Sequence, residues 1–502
     1  MPEPSRMTVV DDPTSLNGST IHVAARIAWT MRMARLTSGV EDSRLTAVAA
    51  AIGTSPARLS RAETGQLRDG SLVDGYERVL GLAEGSLRAP VDTLARTFPW
   101  DSPPDVGRGS PITDLSQLSE LTERLDAGDS VTGGEWLRWA RAIAVPGNIG
   151  MPVPLARRLV RRLVHELSRS CGHGYPTRYE ALAQVRCSDY GFIVLESARE
   201  EVAHPHAQGL ADLFSAVGES VSDDAVQWCL GLVAGDSPYV ASCAALALEN
   251  MAEISPSGSF WPAVAPDLMA VFDRIEPGTE QEEWAAHLIR LVPRETWRLL
   301  GSVPRRPLPP APEVEGFDRA RANRQWRRCM AVAAHVGGQT GVGEQPMLAR
   351  LVFEICYGHW ETRAVTSYFL LGGLPALAQP TLERCAALVD EEPDERIRHR
   401  LARRLFGALA GRASGPAHEW LGSPDPVLRS AGLKIVGASG FILPQEDLRR
   451  AFVDRSTTRA AAYAAGMSGH PELARIARDT TLDEDVRRSV RWWLERGSRV
   501  TV

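Results

Sequence analysis

Lysine is almost missing from the 502 residues: of 56 basic positions only Lys434 is lysine, and the rest are arginine. With so much Ala, Gly and Pro beside it, the shortage reads as coding bias in a GC-rich genome, yet it has chemical consequences. A phosphate-loop NTPase needs a lysine behind its glycines, and Schiff-base catalysis needs a lysine amine. Lys434 stands in AGLKIVG, which is not a GK[ST] loop. Cysteine is sparse as well, with residues 171, 187, 229, 243, 329, 356 and 385 scattered and no CxxC among them. That sets aside a disulfide framework and a zinc finger, and leaves small core residues of a reduced protein. Apolar stretches are broken by Gly, Pro or charge before about 18 residues, so no membrane span is expected. The start, MPEPSRMTVVDDPTS, lacks the basic-then-apolar pattern of a signal peptide. The expectation is a cytoplasmic protein. Alternating strand patterns are missing too.

What is there is helix. Hydrophobic residues make up 44% and charged residues 24%, the balance of a globular chain with a large core, and the length allows about three domains. Residues 1–20 are polar and turn-rich and read as a flexible tail. Residues 21–98 form a run of short helical patterns. PWDSPPDVGRGSP opens a Pro/Gly-rich linker over 99–114. A helical repeat region is expected over 115–300, where PLARRLVRRLVHELSRS (154–170) has its apolar residues at helical spacing. A Pro-rich interruption follows at 301–316, then a second repeat region over 317–500. In that last part EEPDERIRHRLARRLFGAL, SPDPVLRSAGLKIVG, DRSTTRAAAYAAG and LDEDVRRSVRWWLERG place Arg398, Arg429, Arg459 and Arg487 at separations of 31, 30 and 28 residues. A period near 30 in helical sequence marks stacked helix pairs. The Asp before each helix would cap its amides and the Arg would bridge to the next repeat. This region resembles HEAT-like repeats; SPYVASCAALALENMAE (237–253) is similar without the Arg, and tetratricopeptide-type pairs are the rival for 115–300.

Residues 24–85 carry the chemistry. Helices are expected over 22–36, 44–52 and 56–64, with a fourth from about Ser71 to Gly81. Gly53 closes the second, Ser55 is a good N-cap, and Pro56 suits the first helical position. Two short helices across a tight Gly-containing turn make a helix-turn-helix. Ala49 must be small where the two helices cross, and Val48, Ile52 and Leu59 fill the core between them.

AVAAAIGTSPARLSRAETG resembles the Cro/C1-type (XRE) helix-turn-helix family. Ala49, Ile52, Gly53, Ser55, Leu59, Glu63 and Gly65 carry the likeness, which covers about 65 of 502 residues. The resemblance implies that the third helix enters the major groove of double-stranded DNA. Pro56, Ala57 and Arg61, with Arg58 alongside, would face base edges, Arg61 reading guanine through a two-bond fork. Arg44, Ser55, Ser60, Thr64 and Gln66 match phosphate-contacting positions. It further implies an ion pair between Glu63 and Arg32, with Arg35 as the fallback. Two departures stand out: Leu45 occupies a place where the family often has a polar residue, and the loop TSGVED (37–42) is longer than usual and acidic. Residues 24–68 hold seven arginines and three acids, net +4, on a chain of net −6, which suits DNA binding through one end.

Other constellations point elsewhere only weakly. CGHG (171–174), His204-x-His206 and Cys356-x-x-His359 have no second half at metal-site spacing, and no HExxH, GxSxG or dinucleotide fingerprint occurs. No cofactor, metal or catalytic residue is expected, and an enzyme is the least expected class. The expected fold is all-α: a Cro/C1-like bundle followed by a long α-solenoid of HEAT-like or tetratricopeptide-like helix pairs. The expected function is a sequence-specific transcriptional regulator, a homodimer on a pseudo-palindromic operator, whose repeats dimerise or sense a peptide or protein effector. The rivals are an interaction scaffold with a docking helix-turn-helix, and a peptide-sensing quorum-type regulator.

Overall fold

The computed structural model describes residues 10–98 (without 17, 19 and 68), 115–145, 150–204, 206–255, 259–301, 304–310 and 318–500. Among them all 27 regular elements are α-helices, and extended backbone pairs only at an isolated bridge between Ser170 and Val500. No helix among the described residues is long and apolar enough to cross a membrane.

Contacts divide the chain into two compact units. The first comprises Met1–Trp139, Arg169–Glu180 and Arg319–Val502; the second comprises Ala140–Ser168 and Ala181–Asp318. Chain order alone had separated the N-terminal helices from the C-terminal repeats, whereas contacts group them. The expected linker at 99–114 lies outside the described residues, as do 302, 303 and 311–317 of the Pro-rich interruption and its flank.

Five helices open the first unit. α1 spans Val23–Thr37, where His22 Nδ1 accepts from Ala25 N at 3.0 Å. α2 spans Leu45–Ile52, and Gly53 ends it at φ +81°, a left-handed conformation that glycine adopts without penalty. α3 spans Pro56–Glu63, capped by Ser55 with proline at its first position. α4 spans Gly70–Val79 behind the Asp69 cap, and α5, which the sequence had not announced, spans Arg88–Thr97. The Glu77 carboxylate of α4 accepts from the Gly85, Leu87 and Arg88 amides at 2.9, 2.6 and 2.7 Å and so caps α5 from outside.

Part of the stretch 1–20, expected as a tail, enters the core of the first unit. Asp12 is completely buried and accepts from Arg26 Nε of α1 at 2.8 Å. Arg26 also forks onto Glu354 of the helix Pro346–Tyr357 at 2.7 and 2.7 Å, and Trp29 Nε1 donates to Gln345 at 3.1 Å. α5 packs on the helix Glu361–Gly372. The N-terminal bundle therefore shares one core with the C-terminal helices of its unit.

The four repeat-like segments are the helices Glu395–Leu409, Pro426–Ser439, Thr458–Ser468 and Glu484–Arg496, and each packs on the next. Asp394 and Asp425 cap the first two through their carboxylates; the other two have no side-chain cap. Arg429 reaches Asp454 at 2.6 Å and Arg398 lies 3.8 Å from Asp425, so these two arginines bridge to the following segment. Arg459 and Arg487 do not: Arg459 makes no ion pair among the described residues, and Arg487 pairs with Glu484 of its own helix. The second unit alternates likewise, with Leu210–Val217 on Pro238–Ile254 and that on Glu280–Leu291.

Candidate nucleic-acid interface

α2 and α3 meet across the turn Gly53-Thr54-Ser55. The Gly53 amide reaches back to the carbonyls of Ala49 and Ala50, and Thr54 N donates to Ala49 O at 2.9 Å. Ser55 Oγ accepts from Arg58 N at 3.2 Å, which orders the first turn of α3. Val48, Ala49 and Leu59 are buried between the helices, and Ile52 is half-buried where α2 passes α4. There a Cβ on Gly75 would lie 2.9 Å from Ile52 Cγ2, so glycine sets the approach of the two helices.

α3 buries only Leu59, Ala62 and Glu63. Full burial of one leucine contributes about 2 kcal/mol, little to hold a helix of two turns. Glu63 supplies a second anchor. Its carboxylate receives Arg35 Nε at 2.6 Å and Arg35 Nη2 at 2.7 Å, and the Tyr76 hydroxyl donates to Oε1 at 2.5 Å. Arg35 Nη1 donates to Ser43 O at 2.9 Å, fixing the loop before α2. The partner of Glu63 is thus Arg35, in the last turn of α1, and not Arg32. Burial, with the Glu63 charge beside it, pushes the Tyr76 hydroxyl far up, so it stays a donor.

The other face of α3 is open: Pro56, Ala57, Arg58, Ser60 and Arg61 are all exposed. Arg61 has no side-chain partner among the described residues. Arg58 instead pairs with Asp69, the cap of α4. Burial opposes it, but bonds from Ser71 and Arg58 hold the Asp69 carboxyl below its ordinary range. Ser55 is occupied as the cap, and Thr64 Oγ1 donates back to the carbonyls of Ser60 and Arg61 at 3.0 and 3.2 Å. Gln66 is exposed. Arg44 stands free of the bundle but pairs with Asp42 at 2.5 Å, whose carboxyl the guanidinium holds at about 2.

The net positive charge of 24–68 is therefore not presented as one basic face. Arg26 and Arg35 are spent on buried carboxylates, and Arg44 and Arg58 on Asp42 and Asp69. These pairings go beyond what a count of charges shows. Asp42 stood in the loop already marked as acidic, and Asp69 preceded Gly-Ser at a helix start, a capping signal. Glu354, 328 residues from Arg26, left no local signal.

The sequence candidates for metal ligands fall apart. His204 and His206 stack edge-on, with ring centroids 5.7 Å apart. Cys356 is buried beside Cys329 and Cys385, and the thiols of Cys356 and Cys385 share a hydrogen bond that, with burial, raises Cys385 well above an ordinary thiol. No group of three or more metal-ligating side chains is assembled among the described residues. Compared with known proteins, the chain matches no family model and no curated protein sequence.

Proposed function

We propose that the chain is a sequence-specific DNA-binding transcriptional regulator of the cytoplasm. In this reading the N-terminal helices form a Cro/C1-like helix-turn-helix domain, and the later helix pairs form a HEAT-like solenoid used for dimerisation or for an effector. One observation carries it: α3 is a capped helix that follows a left-handed glycine turn, is fixed from behind by Leu59 and the Arg35–Glu63–Tyr76 clamp, and leaves Pro56, Ala57, Ser60 and Arg61 to solvent. Such a helix can enter a major groove without unpacking its own domain. Arg61, with no internal partner to give up, is the side chain assigned to a guanine edge. Pro56 and Ala57 offer apolar contact, and the exposed Arg44, Ser60 and Gln66, with the half-buried Thr64, are assigned to phosphates. One such domain binds weakly, so a dimer on an inverted repeat is part of the reading.

The test is to incubate the purified chain with sheared DNA from its own genome at physiological salt and sequence what is retained. Enrichment of an inverted repeat, with half-sites about 10 base pairs apart centre to centre, is the expected result. Retention no better than input DNA overturns the reading. An interaction scaffold with a docking helix-turn-helix remains the second reading, and Asp42 and Asp69 favour it, because they already neutralise Arg44 and Arg58.

A further inference from the structure

The helix Arg319–Thr340 belongs to the same compact unit as α3 and has an unusual charge pattern. It carries Arg319, Arg321, Arg324, Arg327 and Arg328, one histidine and no acid. Its fully buried residues begin only at Cys329, followed by Val332, Ala333, Val336 and Gly337; in the arginine-bearing turns before them Trp326 packs partly on the core. Arg324 and Arg327 are three residues apart and share the face opposite that buried stripe. Arg319, Arg324 and Arg327 are exposed. Arg319 and Arg324 have no side-chain partner among the described residues, and Arg327 bonds only the Asn323 carbonyl of its own helix, at 3.3 Å. Arg328 pairs with the Glu392 carboxylate at 2.7 Å.

This arrangement opposes the helix dipole, whose positive end lies at the N-terminus. Some helices of the chain complement it: Glu280, Glu282 and Glu283, Asp223 and Asp224, and Glu484 and Asp485 occupy first turns. In Arg319–Thr340, as in most helices of the chain, the first turn holds no acid; Asp318 stands just before it. Guanidinium charges gathered near the positive end of a helix repel one another until an anion arrives.

We infer that the exposed arginine face of the helix Arg319–Thr340 is a second nucleic-acid surface, which grips the phosphate backbone of duplex DNA without reading its sequence. Duplex DNA fits better than a membrane because the apolar stripe is buried and the outward residues after the arginines are Ala331, Ala334 and His335, leaving nothing to insert among lipid chains. Guanidinium forks match phosphate oxygens bidentately. The inference shares a ligand with the proposed function but not a site.

The experiment measures full-length chain on a duplex of random sequence by fluorescence anisotropy, across a range of salt concentrations. It compares the parent, R61A, and a triple variant R319Q/R324Q/R327Q whose exposed positions leave the fold intact by circular dichroism. Loss of three phosphate contacts should flatten the slope of log Kobs against log salt by about 2 to 3 and weaken binding at low salt by more than tenfold. R61A, which removes a single cation, should flatten that slope by no more than about 1. A triple variant with the parent's slope and affinity overturns the inference, whatever α3 does. A flattened slope in the triple variant supports this surface even where R61A binds the random duplex as the parent does. A parent that binds phosphatidylserine vesicles and no duplex overturns the inference in favour of a membrane surface.

Discussion

Removing the Glu354 carboxylate is the sharpest way to break the first unit. Glu354 is fully buried and serves two cations. Arg26 Nη1 and Nη2 reach it at 2.7 and 2.7 Å, Arg363 Nε at 3.2 Å with a second bond from Nη2, and Ser367 Oγ at 2.5 Å. In Glu354→Ala, Arg26 keeps Asp12 through Nε and Arg363 keeps the Ser15 and Gly18 carbonyls through Nη1, but the two Nη groups of Arg26 and Nε and Nη2 of Arg363 lose their carboxylate. Stripping one member from a buried pair costs about 3–5 kcal/mol because the surviving charge is left uncompensated. Against a typical domain stability of about 5–15 kcal/mol this is a large fraction. Glu354→Gln keeps the shape and one acceptor but turns an amide N–H toward a guanidinium, so about 2–4 kcal/mol is expected. Urea unfolding measures the loss, and hydrogen exchange along α1 locates it: amides of α1 and of the helix Pro346–Tyr357 should lose protection together. A loss below about 1 kcal/mol, or α1 amides as protected as in the parent, would refute the shared-core argument.

The same network makes a pH prediction of definite sign. Burial works against ionisation, yet the guanidiniums hold the Asp12 and Glu354 carboxyls below their ordinary range. A depressed folded-state value contributes stability that is present above the unfolded value and is lost as pH falls through the folded one. The parent should therefore lose stability more steeply than Glu354→Gln as pH drops below about 4.5.

Four further outcomes are expected. Tyr76→Phe removes one donor from Glu63 while Arg35 remains, costing about 1 kcal/mol in urea unfolding; no change would mean that the hydroxyl does not brace α3. Gly75→Ala puts a methyl 2.9 Å from Ile52 Cγ2 and should cost about 1–3 kcal/mol, with partial recovery in Gly75→Ala/Ile52→Val; an unaffected single variant contradicts the close approach of α2 and α4. Asp69→Asn keeps the cap of α4 but frees Arg58, so on the proposed reading duplex binding tightens and its salt slope steepens by about 1; weaker or unchanged binding counts against a DNA-facing Arg58. Glu77 is pushed up to about 7 by burial, against the three amides that it accepts from. Its contribution is fully present below the unfolded carboxyl value and is lost as pH rises toward 7, at up to about 1.4 kcal/mol per pH unit, and Glu77→Gln should flatten that decline.

The parts of the fold that were legible are those written in neighbouring residues. Ile52-Gly53-Thr54-Ser55-Pro56 encodes a stop, a left-handed turn, a cap and a start, and α2 and α3 begin and end within a residue of where that grammar puts them. Asp394 and Asp425 announced their helices for the same reason. What was not legible depends on register between helices. Arg32 and Arg35 both lie within reach of Glu63 in sequence logic, and only the height at which α1 crosses α3 decides for Arg35. The basic character of 24–68 was read from a count, but charge on a surface is a matter of pairing, and Asp42 and Asp69 pair locally in ways a count does not register. Asp12 was invisible as a core residue because a buried carboxylate is intelligible only beside Arg26, and that guanidinium turns inward because Glu354 waits for it.

α1 joins these two lessons. Arg26 near its start is fixed by Asp12 and Glu354, and Arg35 near its end is fixed by Glu63. The two arginines are nine residues apart, so about 13.5 Å of unbroken helix links the buried network to the clamp behind α3. A helix moves as a body, and both of its ends are held by charge-assisted bonds that tolerate little lengthening. Any displacement of the helix Pro346–Tyr357 must then either break a buried ion pair or carry α1, and with it Glu63 and α3. On the proposed reading this makes the C-terminal helices of the unit more than a separate receptor: their positions set the pose of α3. Ligands that shift those helices would change operator affinity without touching DNA, and Arg26→Gln should uncouple the two by loosening one end of the link. An effector response that survives Arg26→Gln undiminished would show that the coupling runs through some other contact.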